Sequence, residues 1–290
     1  MLRSHVFAAL LCPVLLAAAT DDETVRLLAL AKKSASGAEF RKALQDAVPE
    51  KQRKEGVALY YGGDFLYLIE GAPSAKLQVD GRPVRLTRGG NLLLYRTAHT
   101  TGRSHSMQWF ADGATAGPRV DHPAYLSENY PQPGVPQGTL SPKMSGESKI
   151  YPGMKYDWWT YVPAQYDGST PMAVMIWQDG GGHTNRTGAS RTLNVIDNLT
   201  HAKRIPVMIS IFINPGAIGG ERLRSVQYDS VNDTYARYLR DEILPEVAGK
   251  YKIRSDSYSR AIAGNSSGGI CAFNAAWFLP DEFSRVLSRV

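Results

Sequence analysis

Apolar residues in the second half of the chain fall into short continuous runs that alternate with amphipathic segments. The runs 172–177 and 207–212 are apolar almost throughout, which is typical of parallel strands covered on both faces. Helical spacing of apolar residues is clearest over 231–250. Strands alternating with helices predict a doubly wound, mostly parallel α/β sheet. The predicted elements are strands 157–162, 172–177, 207–212 and 261–263, and helices 192–201, 231–250 and 267–277.

The pattern differs over residues 56–112, where short strand-like runs are separated by glycine-rich turns. Leu77 and Val79 alternate with polar residues before Asp80-Gly81, which predicts a β-hairpin. Strands this short and evenly spaced predict a small β-sandwich of the immunoglobulin-like kind. An alternative role for it is carbohydrate binding through a face of exposed aromatics, although aromatic residues in strands also suit a core. The candidate stacking residues are Tyr60, Tyr61, Tyr67 and Trp109.

The first 20 residues have the pattern of a secretory signal peptide. Arg3 supplies the charged start, residues 6–16 form the apolar region, and three alanines, residues 17–19, suit a signal peptidase. The apolar run is too short to span a bilayer. We therefore expect a secreted or periplasmic protein without a stable membrane anchor.

A stretch rich in proline, glycine and serine separates the two patterns and predicts a linker. The predicted division is a signal peptide, a helical lead-in, a β-sandwich domain, this linker and an α/β domain. Their bounds are 1–20, 21–50, 51–116, 117–148 and 149–290.

Composition narrows the function classes. Hydrophobic residues make up 43% and charged residues 21% of the chain, as in ordinary globular proteins. The net charge of +6 is dispersed, so no nucleic-acid partner is predicted. No His or Cys spacing suits a metal, and no glycine fingerprint suits a nucleotide, so no metal or cofactor is predicted. Cys271 alone remains after the signal region and cannot form an internal disulfide. The oligomeric state stays open.

The segment 264–268 reads Gly-Asn-Ser-Ser-Gly and matches the G-x-S-x-G nucleophile elbow. A predicted strand precedes it and a predicted helix follows it, which is the context this motif requires. The elbow holds Ser266 in a strained turn that exposes its hydroxyl, and a side chain at Gly264 or Gly268 would crowd that turn. Ser266 is therefore the candidate nucleophile, and a glycine-rich turn with an incidental serine is the alternative.

Residues 178–182, Gln-Asp-Gly-Gly-Gly, follow a buried strand and predict an oxyanion loop. The first donor would be the N–H of Ser267, and the second the N–H of Gly180 or Gly181. A plain glycine-rich turn is the alternative.

Nearby polar residues are candidate substrate contacts because loops at the carboxyl ends of parallel strands form the crevice of open α/β sheets. Solvated loops without function are the alternative. The candidates are His183, Arg224, Gln227 and Tyr228.

The second half resembles the enterochelin esterase-like "putative esterase" family of α/β-hydrolases, which is related to feruloyl and acetyl-xylan esterases. Several motifs carry the resemblance in the right order, from about Gly134 onward. The N-terminal sandwich also resembles the one found in enterochelin esterases. The motifs are Tyr-Val-Pro-Ala-Gln-Tyr-Asp at 161–167, Trp-Gln-Asp-Gly at 177–180, Phe-Ile-Asn-Pro-Gly at 212–216, Tyr-Asp-Ser at 228–230, Glu-Ile-Leu-Pro-Glu at 242–246 and Ala-Gly-Asn-Ser-Ser-Gly-Gly at 263–269.

The resemblance implies hydrolysis of small-molecule aryl, sugar or siderophore esters through an acyl-enzyme on Ser266, without a cofactor. It also implies that residues 149–290 are the N-terminal part of an α/β-hydrolase domain with an incomplete sheet. The family's acid and histidine lie on later loops, and no histidine follows Ser266 here. We therefore expect the chain to be truncated within the strand after the elbow helix and nearly inactive as given. The alternative is a binding protein built on a degenerate hydrolase scaffold.

The same interpretation predicts that the elbow strand lacks neighbours on one side. Unpaired strand edges and an uncovered apolar face favour association, so we expect a chain prone to aggregate, with a sandwich able to fold alone.

Overall fold

The computed structural model describes residues 19–289 and divides into two compact units, residues 1–126 and 127–290. The predicted signal peptide lies outside the described residues except for its last two positions. No helix among the described residues is both long and apolar enough to cross a membrane.

Within residues 19–126, the first unit combines three helices with eight strands in two four-stranded sheets. Their orders are β1-β2-β6-β5 and β4-β3-β7-β8. Thr20 caps α1 through a reciprocal capping box with Glu23. The elements are α1 Asp21–Ser34, α2 Ala38–Ala47, α3 Glu50–Glu55, β1 Val57–Tyr61, β2 Asp64–Glu70, β3 Lys76–Val79, β4 Arg82–Pro83, β5 Thr87–Gly89, β6 Leu92–Ala98, β7 Arg103–Ala111 and β8 Ala114–Ala124.

Both faces of the first sheet are buried because alternate residues of a strand point to opposite sides. Phe65 and Tyr67 on β2 pack with Leu77 and other residues of the second sheet. Leu66 on the same strand packs with Phe40 of α2. The two sheets therefore share one core, and the immunoglobulin-like sandwich stays a prediction.

Three boundaries differ from the prediction. The helices of the lead-in, 21–50, share a core with the first sheet, so they belong to the sandwich unit. Strand β8 runs to Ala124, past the predicted sandwich end at 116, because it pairs with β7 along most of its length. The rest of the predicted linker is part of the second unit. There Asn198 donates to the carbonyls of Glu128 and Tyr130, both at 2.8 Å.

The four candidate sugar-stacking aromatics do not form one exposed face. Tyr67 and Trp109 are 0% and 1% exposed, because both side chains point between the two sheets. Tyr60 and Tyr61 are only half-buried. The aromatic residues of this unit mainly form its core.

The second unit is a mixed α/β sheet of order β15-β14-β11-β13-β12-β16-β17, with β9 and β10 also paired to β11. Strands β13, β12, β16 and β17 are mutually parallel, which confirms the predicted α/β class. The elements are β9 Thr139–Leu140, β10 Met144–Glu147, β11 Lys155–Val162, β12 Ala173–Gln178, α4 Thr192–His201, β13 Met208–Ile213, β14 Ala217–Ile218, β15 Glu221–Arg222, α5 Arg224–Tyr228, α6 Thr234–Tyr238, α7 Leu244–Ala248, β16 Arg260–Asn265, α8 Ser267–Phe278 and β17 Arg285–Arg289.

The predicted helix 231–250 is one irregular segment in which a π-helical turn, Leu239–Ile243, joins α6 to α7. Pro245 has no N–H to donate, which suits a local change of hydrogen-bond spacing there. Leu239 and Val247 of this segment pack with Ile262 of the sheet in one core.

The elbow strand β16 has neighbours on both sides, contrary to the sequence prediction. It pairs in parallel with β12 and with β17, where Ala263 lies opposite Trp177 and Leu287 respectively. The run after the elbow helix thus forms a strand, as predicted. Among the described residues the sheet ends at β17, whose five residues are exposed.

Candidate active site

Ser266 lies in a strained turn between β16 and α8. Its φ of 53° and ψ of −130° are values that non-glycine residues rarely adopt. Only glycine fits at position 264, where a Cβ would overlap the carbonyl of Gly268. A Cβ on Gly268 would lie 3.1 Å from the Gln178 Cβ, so the space there is tight as well. This is the geometry that a nucleophile elbow needs.

Backbone hydrogen bonds hold this turn in place. The Ser266 N–H donates to the Arg289 carbonyl at 2.7 Å, and the Ser266 carbonyl accepts from the Gly269 N–H at 2.7 Å. Ser266 is exposed, and its side chain does not cap α8. The hydroxyl therefore stands at the N-terminal end of a 12-residue helix, where N–H groups favour developing negative charge.

Strand register brings the predicted oxyanion loop beside the elbow. Trp177 of β12 lies opposite Ala263 of β16 in parallel pairing. Gly180 and Ser266 each come three residues later, at the same edge of the sheet. Gly180 is packed so closely that a Cβ there would overlap the backbone of residues 212–213, so only glycine fits.

The two candidate glycine donors differ in whether their N–H group already has an acceptor. The Gly181 N–H donates to the Asn214 Oδ1 at 2.8 Å and is already used. Neither the Gly180 nor the Ser267 N–H has a hydrogen-bond acceptor within residues 19–289. Gly180 and Ser267 are therefore the pair available to an oxyanion. Asn214 belongs to one of the sequence motifs, but only the fold shows that its side chain accepts a hydrogen bond from the Gly181 N–H.

Asp179 anchors the loop. It adopts a left-handed conformation with φ of 54°, and its carboxylate accepts two hydrogen bonds from Arg224, both of 2.8 Å. The hydrogen bond to Asp179 raises the pKa of Arg224. The Asp179 N–H donates to the Tyr228 hydroxyl at 3.1 Å. Asp179 was not singled out from sequence, because its partners come from a helix 45 residues later.

Gln227 and Tyr228 support the loops instead of facing solvent. They are 2% and 0% exposed. The Gln227 Oε1 accepts from the Gly216 N–H at 2.7 Å, which fixes the loop after β13. Burial raises the pKa of Tyr228 well above its usual value, so its hydroxyl stays protonated. Of the four predicted substrate contacts, His183 and Arg224 are partly exposed.

His183 lies in a short 3-10 turn, Gly180–His183, directly after the oxyanion loop. Its ring packs against Trp177 and Phe212, and its Nδ1 is 2.8 Å from the Thr192 Oγ1. Burial lowers the pKa of His183. Neither His183 nor His201, the two histidines of the second unit, forms a hydrogen bond with Ser266.

A parallel sheet with an exposed, strained serine at a strand–helix turn defines an α/β-hydrolase type of protein. Residues 151–289 match the model of the family described as "Putative esterase". This segment is therefore similar to the proteins of that family. No curated protein matches the chain.

Solved structures with the same fold include esterases. The enterobactin esterase FES from Shigella flexneri is 12% identical with a TM-score of 0.52, over 87% of this chain and 75% of that one. The enterochelin esterase from Shigella flexneri is 14% identical with a TM-score of 0.50, over 81% and 73%. The ferulic acid esterase AmCE1/Fae1A from Anaeromyces mucronatus is 19% identical with a TM-score of 0.43, over 55% and 61%. At these identities the likeness to the two Shigella flexneri structures shows the fold alone.

Proposed function

We propose that the second unit hydrolyses carboxylic esters with Ser266 as the nucleophile. The observation that carries this proposal is the strained backbone of Ser266 at a turn closed by Gly264 and Gly268. Such strain costs about 1–3 kcal/mol and persists where the surrounding structure requires it. The match of residues 151–289 to an esterase family supports the same reaction.

In the proposed reaction the Ser266 Oγ attacks the ester carbonyl carbon while a base takes the hydroxyl proton. The negative oxygen of the tetrahedral intermediate accepts hydrogen bonds from the N–H groups of Gly180 and Ser267. The intermediate expels the alcohol, which receives the proton, and leaves an acyl group on Ser266. Water then attacks this acyl group by the same route in reverse and releases the acid.

The proposed reaction needs a base that takes the Ser266 proton. The family resemblance implies an acid and a histidine on later loops, and neither histidine of the second unit reaches Ser266 with a hydrogen bond. Losing a triad histidine costs on the order of 10⁴ or more in turnover. We therefore expect the 290-residue polypeptide by itself to acylate slowly and to depend on an added base.

The test is acylation by p-nitrophenyl acetate in the presence of imidazole, which supplies an external base. Mass spectrometry should locate an acetyl group on Ser266. Ser266→Ala should abolish this adduct, whereas Ser267→Ala should retain it because only the backbone N–H of residue 267 is used. Absence of acetylation at Ser266 with imidazole present would overturn the proposed nucleophile. Rapid Ser266-dependent turnover without imidazole would show that a histidine of this chain serves as base.

We propose aryl, sugar or siderophore-type esters as substrates. Arg224 is partly exposed beside the elbow and offers a cationic contact for a polar ester. Enterobactin and ferulic acid were crystallised with proteins of the same fold. A profile over acyl lengths tests this, and a clear preference for long acyl chains would contradict it.

We also propose that residues 1–20 direct export to the periplasm or the exterior. The charged, apolar and small-residue regions of this segment support it. Expression of the full chain in a bacterial host should give an exported product shorter by about 20 residues. An unprocessed cytosolic product would contradict export.

A further inference from the structure

Three side chains with metal-binding chemistry meet within the first unit. Asp80 occupies the turn after β3, His99 follows β6, and His105 lies on β7. Each can offer one ligand atom such that all three atoms lie within 4.8 Å of one another. We propose that Asp80, His99 and His105 bind a divalent transition-metal ion, with Zn²⁺ as the preferred ion.

Asp80 is held ready to act as a one-oxygen ligand. Its backbone adopts the left-handed conformation, with φ of 51°, at the tip of the β3–β4 hairpin. Its Oδ1 accepts from the Ser106 N–H at 2.9 Å, and its own N–H donates to the Ser106 carbonyl at 3.0 Å. One carboxylate oxygen is thus fixed by the backbone, and Oδ2 faces His105 at 2.8 Å.

His105 is oriented by a backbone carbonyl. Its Nε2 is 3.0 Å from the Thr100 carbonyl oxygen, and its side chain is only 2% exposed. Histidines that bind metals commonly donate their second ring N–H to such an oxygen, which fixes the tautomer. The Nδ1 then carries the lone pair toward Asp80, at the position where an ion would sit.

His99 has a comparable arrangement. Its Nε2 is 2.8 Å from the Tyr67 hydroxyl, whose ring is buried in the sandwich core. Its ring stacks on that of His105 with centroids 4.1 Å apart. Asp80 and His105 therefore each have one side-chain atom held by a neighbouring group and another that faces the other residue. His99 adds a third possible ligand atom within 4.8 Å of theirs, and such support of ligands by neighbouring groups is usual around a metal.

The cluster has a route to solvent and room to contract. The Asp80 side chain is 35% exposed, so an ion can enter from that side. Zinc ligands at about 2.0–2.2 Å from the ion lie roughly 3.3 Å from one another, so small side-chain rotations would close the site. Arg103 lies 3.4 Å from the Asp80 Oδ2 and is 60% exposed, so it can turn into solvent when the ion binds.

The donor set favours Zn²⁺ among common ions. Two imidazoles and one carboxylate suit borderline metals, whereas Ca²⁺ and Mg²⁺ require mostly oxygen ligands. Three protein ligands leave a fourth tetrahedral position for water. The ion would join the β3–β4 turn, the β6–β7 connection and strand β7, so its effect would be to stabilise the first unit.

The experiment is calorimetric titration of the full chain, previously treated with a chelator, with ZnCl₂. We expect one Zn²⁺ per chain and a rise in the unfolding temperature on binding, since a ligand of the folded state stabilises it. Co²⁺ in place of Zn²⁺ should give the visible absorption of a tetrahedral site.

Two variants and one control test the assignment. Asp80→Asn keeps an oxygen for the Ser106 N–H but removes the charge, and His99→Gln leaves all Asp80 contacts in place. Each should weaken Zn²⁺ binding at least tenfold, while the exposed His201→Gln, outside the cluster, should bind like the parent chain. Near-UV circular dichroism verifies that each variant is folded. One folded variant is enough to test the assignment. Unchanged affinity in a folded variant, or no stoichiometric Zn²⁺ binding by the parent chain, would overturn the proposal.

Discussion

At the scale of single residues, Ser266 combines an unfavourable backbone with an exposed hydroxyl. Its φ of 53° with ψ of −130° suits glycine far better than serine. Strain of this kind costs about 1–3 kcal/mol. A serine at this position does not serve stability, which supports the proposal that its hydroxyl is used.

This strain predicts that two substitutions at Ser266 give proteins of different stability. Ser266→Gly should be more stable than Ser266→Ala by about 1 kcal/mol, because glycine accepts this φ and ψ, although its unfolded chain is more flexible. Neither variant should be acylated. Urea unfolding of both proteins measures the difference. Ser267→Gly, in ordinary helical backbone, should be destabilising, and equal stability of the two Ser266 variants would show that the turn is unstrained.

At the scale of elements, the parallel register of β12 with β16 places the predicted oxyanion loop and the Ser266 turn at the same edge of the sheet. The loop itself is held by bonds to other elements: Asp179 to Arg224 of α5, and Gly181 to Asn214 after β13. The side chains of Asp179 and Arg224 are each about one third exposed. We therefore expect this ion pair to position the loop and to contribute little to the free energy of unfolding.

The glycines of this loop predict a matched pair of results. Gly180→Ala should destabilise the second unit by at least 1–3 kcal/mol and abolish acylation, because its Cβ would overlap the backbone of residues 212–213. Gly182→Ala should be tolerated, since a Cβ there meets nothing within 4 Å. Urea unfolding and acetylation of Ser266 check both. A tolerated Gly180→Ala would mean that β13 lies farther from the loop.

At the scale of the whole molecule, apolar side chains remain exposed on α8 and β17 of the second unit. Phe273, Trp277 and Leu287 are 55%, 70% and 55% exposed, and the Phe273 and Trp277 rings stack on each other. Elements of this kind, at a sheet edge within the described residues, favour self-association.

We therefore expect concentration-dependent association of the full chain. Size-exclusion chromatography with light scattering should show species larger than a monomer, and Trp277→Lys combined with Leu287→Lys should reduce them. Val231→Lys, at a site 74% exposed elsewhere, is the matched control and should leave association unchanged. A monodisperse parent chain at high concentration would contradict this expectation.

Local patterns determined a large part of this protein. The elbow, the strand before it and the helix after it are encoded by adjacent residues, because backbone strain and glycine packing act within a few positions. Apolar runs likewise predicted strands β12 and β13 and helix α4, since periodicity reflects which faces are buried. The α/β class and the choice of Ser266 as the candidate nucleophile follow from these features.

Only the tertiary structure decided which polar groups meet. The Asn214 side chain, 33 residues later in the chain, accepts a hydrogen bond from the Gly181 N–H. This contact leaves Gly180 as the available donor. Gln227 and Tyr228 resembled crevice residues in sequence but are buried supports. Asp80 and His105 meet across two strands at a spacing that matches no metal motif. Hydrogen bonds and ligand sets depend on distances between elements, which strand order and register establish and residue spacing does not encode.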